Sequence, residues 1–461
     1  MNRSRRSHES APPLILEPST PVMTGLQPSR TGVRFGGLLR AGVVLALAAA
    51  CGFRSGAQQD KVVILENADS LVGLVLDGQD ARELIGNVRL VQGGVRISCD
   101  RALQFIKSGR VNLTGNVVVT DDSLTLTSPR GTYHRDARRA EAFEAVRLTD
   151  GRMDLTAEYG EYMIESRTAV FRSRVRIRDS ASVVTADTLV FHRETRQSIA
   201  TGRVTVESPA DRITIFGGRL EHDPDRETNR MTVEPVLLQT DTTGGVSDTL
   251  IVRSLVMESV RDTLPRLIAI DSVRVLRGEL SALSAHAVFF TRGDSILLRG
   301  SPVVWYQESQ TTGDSIDVSL EERQLREVFV MGNALTLSGA DSLRPARYDQ
   351  LAGETLRMVF ADRRLRTIRA DVRAMSIYYA YEDTAANGVT TSTGDRITLL
   401  FDEGRVRSIS IVGGVEGEYH PEPLVVGREE EFRVPGFLLR PNRPTMNNLE
   451  MPWTRLRKPA G

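Results

Sequence analysis

Histidine and carboxylate side chains are the groups in this chain whose types could support acid–base or metal chemistry. His134 and His192 occupy the same place in a 29-residue repeat, two repeats apart, so neither gains the convergent partners that a catalytic or metal site needs. His222 lies in the segment Glu221-His222-Asp223-Pro224-Asp225, which could bind a cation but is first of all typical of a turn. These patterns favour wall or surface histidines over a reactive centre.

Recognised catalytic motifs are missing from the rest of the sequence. The Gly-x-Ser-x-Gly motif of a nucleophile elbow, the His-Glu-x-x-His motif of a zinc-binding helix and the phosphate-binding loop do not occur in the sequence. Gly413–Gly417 is not followed by the helix that a dinucleotide-binding fingerprint requires. The two cysteines, Cys51 and Cys99, cannot form a disulfide framework or a four-cysteine zinc site. Cys99 takes a small inward position of the repeat, which favours core packing. The sequence therefore predicts no enzymatic activity, no metal site and no cofactor.

The composition narrows the possible classes of protein. The 461 residues carry 59 basic and 59 acidic side chains, and this zero net charge argues against a nucleic-acid binder. Hydrophobic residues make up 40%, enough for a core, whereas 5% aromatic residues count against an outer-membrane barrel with aromatic girdles. From Lys61 to Tyr419 short alternating segments recur without helical periodicity, which predicts an all-β fold.

The β segments repeat with a fixed period. Gly86-Asn87-Val88 returns at intervals of 29 residues as the segments that begin at Gly115, Glu144, Ser173 and Gly202. Further units start near Glu234, Asp271, Gly300, Gly332, Ala370 and Gly413, with insertions in polar stretches. Apolar residues two positions apart lie on one face of a strand, and the fixed offset puts equivalent faces in register. We therefore expect an elongated, solenoid-like array of about eleven units, apolar inside and charged outside.

The first 57 residues are interpreted as an export signal. The apolar run Ala41–Ala50 follows an Arg-rich stretch and has the length of a signal-peptide core, too short to span a bilayer. A start at Met23 would give a signal of ordinary length. Cleavage near Ala50 or Ala57 and lipidation of Cys51 are alternative outcomes, and an uncleaved anchor is a third. Either of the first two predicts a mature chain beyond the inner membrane, in the periplasm, and lipidation of Cys51 would add membrane contact.

The segment Gly86–Ala102 resembles the OstA-like, LptA-type domain of lipopolysaccharide transport. It contains the Gly-Asn-Val strand, a turn, a second strand and the corner Cys99-Asp100-Arg101-Ala102, and a second Gly-Asn-Val follows at Gly115. The resemblance is good from Lys61 to Glu221 and weaker to Tyr419. It implies an elongated β-jellyroll. The chain departs from the family in having about twice the repeats of a typical bridge subunit.

The resemblance also implies a function. Members of this family form a periplasmic bridge that shields the acyl chains of lipopolysaccharide. Their inward apolar residues contact the acyl chains. A non-enzymatic carrier of lipopolysaccharide or a related lipid is therefore expected. Transferred to this chain, the lining of the lipid groove comprises Val88, Leu90, Val95, Ile97, Val117, Val119, Leu124, Leu126, Val146, Leu148, Leu155, Val175, Ile177, Val204 and Val206.

Unpaired strand edges at the ends of such an array suggest protein partners. Strands near Lys61–Glu66 and Ile409–Val412 could join other jellyroll-type transport proteins edge to edge. The residues expected at these edges are Val62, Val63, Ile64, Ile409 and Ile411.

Four regions are predicted in the chain. They are the signal segment 1–57, a regular OstA-like jellyroll at 58–225, its continuation with enlarged loops at 226–420, and a Pro-rich tail at 421–461. Seven prolines preclude a regular strand array in the tail, so we expect disorder there, although Phe432–Leu439 and Trp453 are apolar enough to dock.

Two other classes of protein compete with the lipid carrier. In a structural scaffold of the envelope the same apolar residues would fill a closed core. An enzyme on a β-solenoid would need acids and bases clustered on one face, and the sequence offers no such cluster. A transmembrane barrel is weaker still, because its lipid-facing girdles are missing.

Overall fold

The structure is a computed structural model that describes residues 63–449, apart from 93, 122–123, 242–247, 261–262, 291–294, 322–323, 342, 363, 383–384 and 403–404. The described residues form 28 strands: β1 (Ile64–Asn67), β2 (Ser70–Leu76), β3 (Gln79–Gln92), β4 (Val95–Phe105), β5 (Arg110–Asp121), β6 (Leu124–His134), β7 (Arg139–Thr149), β8 (Asp154–Met163), β9 (Thr168–Arg178), β10 (Val183–His192), β11 (Gln197–Ser208), β12 (Ile213–Asp223), β13 (Thr228–Thr232), β14 (Val236–Asp241), β15 (Asp248–Arg253), β16 (Val256–Val260), β17 (Arg266–Arg277), β18 (Leu280–Phe290), β19 (Ser295–Arg299), β20 (Val303–Tyr306), β21 (Ser309–Thr312), β22 (Ser315–Glu321), β23 (Gln324–Gly339), β24 (Tyr348–Ala361), β25 (Arg364–Glu382), β26 (Ala385–Asp402), β27 (Arg405–Val412) and β28 (Glu416–Pro421). The expected all-β fold is confirmed.

Neighbouring strands pair antiparallel along the whole array, and each 29-residue unit supplies two of them. The pairing register shifts in the middle of each long strand, for example between Ile85 and Val88 of β3. Each strand therefore has two arms, which stack into two walls. Wall 1 contains arms such as Ala81–Ile85, and wall 2 contains arms such as Val88–Gln92. Pairing continues across the boundary predicted at 225–226, which falls in the turn between β12 and β13.

The corners between the walls explain the repeated Gly-Asn pair. Left-handed backbone pairs occur at Gly86–Asn87 and Gly115–Asn116 and return in later units. A Cβ atom on Gly115 would overlap the carboxylate of Asp100 in the preceding strand. The Asn116 side chain donates a 2.9 Å hydrogen bond to the same carboxylate. The Gly115-Asn116 pair and the Asp100 of the preceding strand are therefore two halves of one stacked corner.

Corners coincide with the predicted unit starts, with small differences in the later units. Left-handed pairs also occur at Glu144–Ala145, Ser173–Arg174, Val233–Glu234, Asp271–Ser272, Gly300–Ser301, Gly332–Asn333, Val372–Arg373 and Gly413–Gly414, with Gly202 alone at its corner. The start predicted at Ala370 is thus two residues early, because the insertion before it moved the corner to Val372.

The expectation of a disordered tail is wrong for residues 422–449, which we call the strap. After β28 the strap makes short 3₁₀ turns at Glu422–Leu424 and Glu429–Glu431 and then continues without regular structure. Val425, Phe432, Val434 and Leu449 are buried against the array. The prolines exclude regular strand pairing but not packing in an extended form. Trp453 lies outside the described residues.

The strap covers the outer face of wall 2 in the C-terminal half. Leu335, Leu337, Ile377, Tyr379 and Val389 pack with strap residues in one cluster. In β23 the inward residue of this arm is Ala334, which belongs to the interior cluster, so Leu335 and Leu337 point outward. These strands are therefore largely apolar on their outer face, unlike those of the regular N-terminal units.

Candidate functional site

The predicted lining residues fall into two groups by burial. Of the fifteen, nine are buried in the interior: Val88, Val117, Val146, Leu148, Leu155, Val175, Ile177, Val204 and Val206. The other six are half-buried, and all of them belong to β3–β6: Leu90, Val95, Ile97, Val119, Leu124 and Leu126. All fifteen lie in strands, and the accessible members of this set all belong to the N-terminal units.

The accessible lining forms an apolar trough at the N-terminal end. Val88, Cys99 and Val117 form its floor near the corners, and Leu90, Ile97 and Val119 pack against this floor. The inner face of wall 2 is a continuous apolar surface here, because Leu90 pairs with Ile97 and Ile97 pairs with Val119 on the neighbouring strands. Such a surface can hold an apolar chain without fixed polar contacts.

The interior beyond β7 is filled by its own side chains. Val146 and Leu155 are completely buried in one cluster that runs from Ala142 to Ile397. A cavity of about 50 Å³ lies between Leu189, Ala200, Met231 and Met257. An engineered apolar cavity of about 150 Å³ holds benzene, so this space is smaller than one known to hold a small apolar ligand. Around Val146 and Leu155 the interior is filled by side chains.

The candidate chemical residues have structural roles. Burial raises the pKa of the Cys99 thiol, and its Sγ contacts the Arg101 carbonyl at 3.4 Å. His222 shares a 2.9 Å hydrogen bond with Asn229 inside the array. Among the described residues, no group of three or more His, Cys, Asp or Glu side chains is arranged to hold a metal ion. In the same part of the chain, no helix has the length and apolar character needed to cross a bilayer.

The outer face of wall 1 carries a charged network in the regular units. His134 Nε2 and the Tyr159 hydroxyl each lie 2.8 Å from the Glu141 carboxylate. Burial would raise the pKa of Glu141, but these hydrogen bonds and Arg139 outweigh it and leave the pKa lowered. Burial and the bond to Glu141 raise the pKa of the Tyr159 hydroxyl. The network keeps Glu141 ionised and this face polar.

Both ends of the described array present open strands. At the N-terminal end, β1 and β2 pair only with β3, and Val63 and Ile64 are exposed. At the other end, β27 pairs with β26, where Ile409 is exposed and Ile411 packs against the interior. The predicted edge residue Val62 and the predicted lipidation site Cys51 lie outside the described residues.

Sequence reasoning missed the residues that hold the strap. Gln310, Arg347, Gln350 and Arg443 each bond across more than 70 positions of the chain. A signal was present in the sequence: the alternation of apolar and polar residues gives way to runs such as Val303-Val304-Trp305. A continuous apolar run is typical of a strand that is buried on both faces.

The chain is similar to known proteins over part of its length. The family described as OstA-like protein matches residues 60–214, about a third of the chain. A solved structure to which the chain is similar is LptH, the LptA homologous periplasmic component of the conserved lipopolysaccharide transport device from Pseudomonas aeruginosa. That match has 12% identity and a TM-score of 0.17, and it covers 32% of this chain and 98% of LptH. No curated protein matches the chain. Residues 60–214 are thus an OstA-like region.

Proposed function

We propose that the protein is a non-enzymatic lipid carrier or bridge of the cell envelope, which shields the acyl chains of lipopolysaccharide or a related lipid on the way to the outer membrane. The OstA-like region at residues 60–214 supports the class of protein. The half-buried apolar trough of β3–β6 is the observation that carries the proposal, because it is an accessible surface for an acyl chain. The protein would act in the periplasm.

The energetics of acyl chains favour such a surface. Each methylene group that leaves water for an apolar wall gains about 0.8 kcal/mol, so a carrier needs length and continuity more than polar recognition. With two strands per unit and about 4.8 Å between strands, eleven units give a ladder of about 100 Å. The open strands at its two ends would let other jellyroll-type proteins extend the ladder by edge-to-edge pairing.

A structural scaffold of the envelope is the second candidate function. The buried interior cluster that includes Val146 and Leu155 favours it, since side chains that pack against each other need no lipid. The two functions predict different occupants of the N-terminal trough. A carrier holds lipid there, whereas a scaffold holds only solvent or protein.

Site-specific photocrosslinking in cells distinguishes the two. We would place a photoreactive residue at Leu90 in the trough, at its outward neighbour Arg89, and at the buried Ile177 with its outward neighbour Arg176. A carrier should give a lipid adduct from position 90 and none from 89 or 176. An adduct from 177 as well would show that the middle units open in cells. An exported, folded protein without any adduct from 90 would contradict the carrier and leave the scaffold.

A further inference from the structure

The strap lies over one continuous row of side chains on the outer face of wall 2. Direct cross-strand pairing joins the members of this row, which we call the docking row. It comprises Leu238, Ile251, Leu276, Ser281, Trp305, Gln310, Leu337, Gln350 and Ile377. Residues paired directly across an antiparallel ladder point to the same face, so the row is a single surface.

Two glutamines of the docking row contact the strap in the same way. Gln350 donates from Nε2 to the Phe432 carbonyl and accepts at Oε1 from the Val434 N–H, at 2.8 and 2.9 Å. Gln310 donates to the Leu438 carbonyl and accepts from the Arg440 N–H, both at 2.8 Å. Each amide therefore bonds the main chain of residues i and i+2, and does so while nearly completely buried.

Such contacts depend on an extended backbone and not on strap side chains. Phe432, Val434 and Leu449 add apolar anchors, and Arg443 bonds to Ser281 and to the carbonyls of Glu279 and Gln307. Hydrogen bonds to the main chain, combined with pockets for alternate side chains, are a recurring way in which proteins bind an extended peptide.

The same row has a different composition where no strap covers it. Toward the N-terminus it continues through Thr214, Glu207, Val183, Arg178, Asp154, Thr149, Thr125, Thr120 and Arg96. This part is polar or charged apart from Val183. The change to apolar residues and bonding glutamines begins at Leu238, in the cluster that contains Leu449 of the strap. The apolar residues and the bonding glutamines of the row are therefore confined to the part that the strap covers.

We propose that the docking row is a binding site for an extended peptide, and that residues 429–449 occupy it as a separable ligand that the same segment of a second copy can replace. The hinge is the turn before Glu429, where Val426 is exposed and Gly427 has a φ of 78°. This inference does not depend on the lipid-carrier proposal, because it concerns the outer face.

The test uses the full chain with a site-specific protease sequence inserted after Gly427. After cleavage the fragment should remain bound in gel filtration under native conditions, and a fluorescent peptide of residues 429–449 in excess should replace it. Loss of the fragment on cleavage, together with no binding of the added peptide, would overturn the proposal. Circular dichroism before and after cleavage establishes whether the strands remain folded; unfolding would mean that the strap is an integral part of the fold and would also overturn it.

Ester-substituted peptides test the role of the glutamines without altering any side chain. Replacing the N–H of Val434 or of Arg440 by an ester oxygen removes one donor and should weaken binding about tenfold, because a buried amide oxygen loses its partner. An ester at Leu439 is the control and should bind like the parent peptide. Equal effects at all three positions would contradict main-chain binding by Gln350 and Gln310.

Discussion

The outer face of wall 2 is polar or charged and not covered by the strap in the regular N-terminal units, but largely apolar and covered by the strap in the C-terminal units. Arg176 and Arg178 of β9 occupy places equivalent to those that Leu335 and Leu337 take in β23. The corners and the antiparallel ladder are the same in both regions. The backbone repeat is therefore independent of what covers its outer face, and the outward residues decide whether an arm contacts water or peptide.

The interior differs between the regions as well. The trough of β3–β6 is apolar and half-accessible, whereas under the strap the inner face of wall 2 carries half-buried polar residues such as Thr336 and Ser376 and the outer face is covered. A strand whose outer face is covered has more packing to lose when it moves, so we expect motion to concentrate in the N-terminal units.

The largest difference in stability should come from the ion pairs of the two regions. Arg347 is buried beneath the strap and bonds to Glu422 at 2.9 and 3.0 Å and to Glu429 at 3.3 Å. Arg347→Ala should cost about 3–5 kcal/mol in urea unfolding, because two carboxylates lose their buried partner. Arg203→Ala breaks the exposed pair with Asp187 at a corner and should have little measurable effect. Equal losses would contradict the comparison.

Interior truncations should show the same contrast between the regions. Leu155→Ala leaves a cavity in a filled core and should cost about 2–5 kcal/mol. Leu90→Ala in the trough should cost less than about 2 kcal/mol, since the side chain is already partly hydrated. Unfolding by urea, followed by circular dichroism, measures both, and a larger loss for Leu90 would mean that the trough is closed in solution.

One carboxyl group in each region should contribute to the pH dependence of stability, with opposite sign. Burial raises the pKa of Asp349 to about 6, so the folded chain retains a proton that the unfolded chain releases near pH 4. The contribution of Asp349 to stability should therefore fall by up to about 3 kcal/mol as the pH rises from 4 to 7, and Asp349→Asn should remove this contribution. The hydrogen bond from Arg203 lowers the pKa of Asp187, so the contribution of this exposed pair, which is small, is present at neutral pH and lost on acidification. Stability curves of the variant and of Asp187→Asn against the parent test both signs.

The smallest predicted difference concerns the glycines. Gly78 and Gly115 both have left-handed φ values, of 72° and 74°, but only a Cβ at Gly115 would overlap a neighbouring carboxylate. Gly78→Ala should cost about 1 kcal/mol from the backbone alone. Gly115→Ala should cost about 1 kcal/mol more, because Asp100 must move and its bond with Asn116 is lost. Identical losses in thermal unfolding would show that the corner is not a stacked unit.

The sequence by itself determined the repeat, the all-β class and the inward positions. Period-two alternation selects one face of a strand, and a 29-residue spacing places that face in register wherever the chain pairs with itself. The Gly-Asn pair marked the start of the repeat in the sequence, whereas its place at the corner between the walls was seen only in the structure. Each of these signals lies within a few residues or within one period.

Tertiary structure alone decided which inward residues are accessible and where the tail lies. Leu90 and Leu148 occupy the same repeat position, yet Leu90 is half-buried and Leu148 is buried, because burial depends on the neighbouring units and not on local sequence. The bonds of Gln350 to Phe432 and Val434 join residues more than 80 positions apart. A sequence period of 29 residues gives no information on contacts at such separation. A Pro-rich segment, whose composition predicts disorder, can therefore still be ordered when it packs on the docking row.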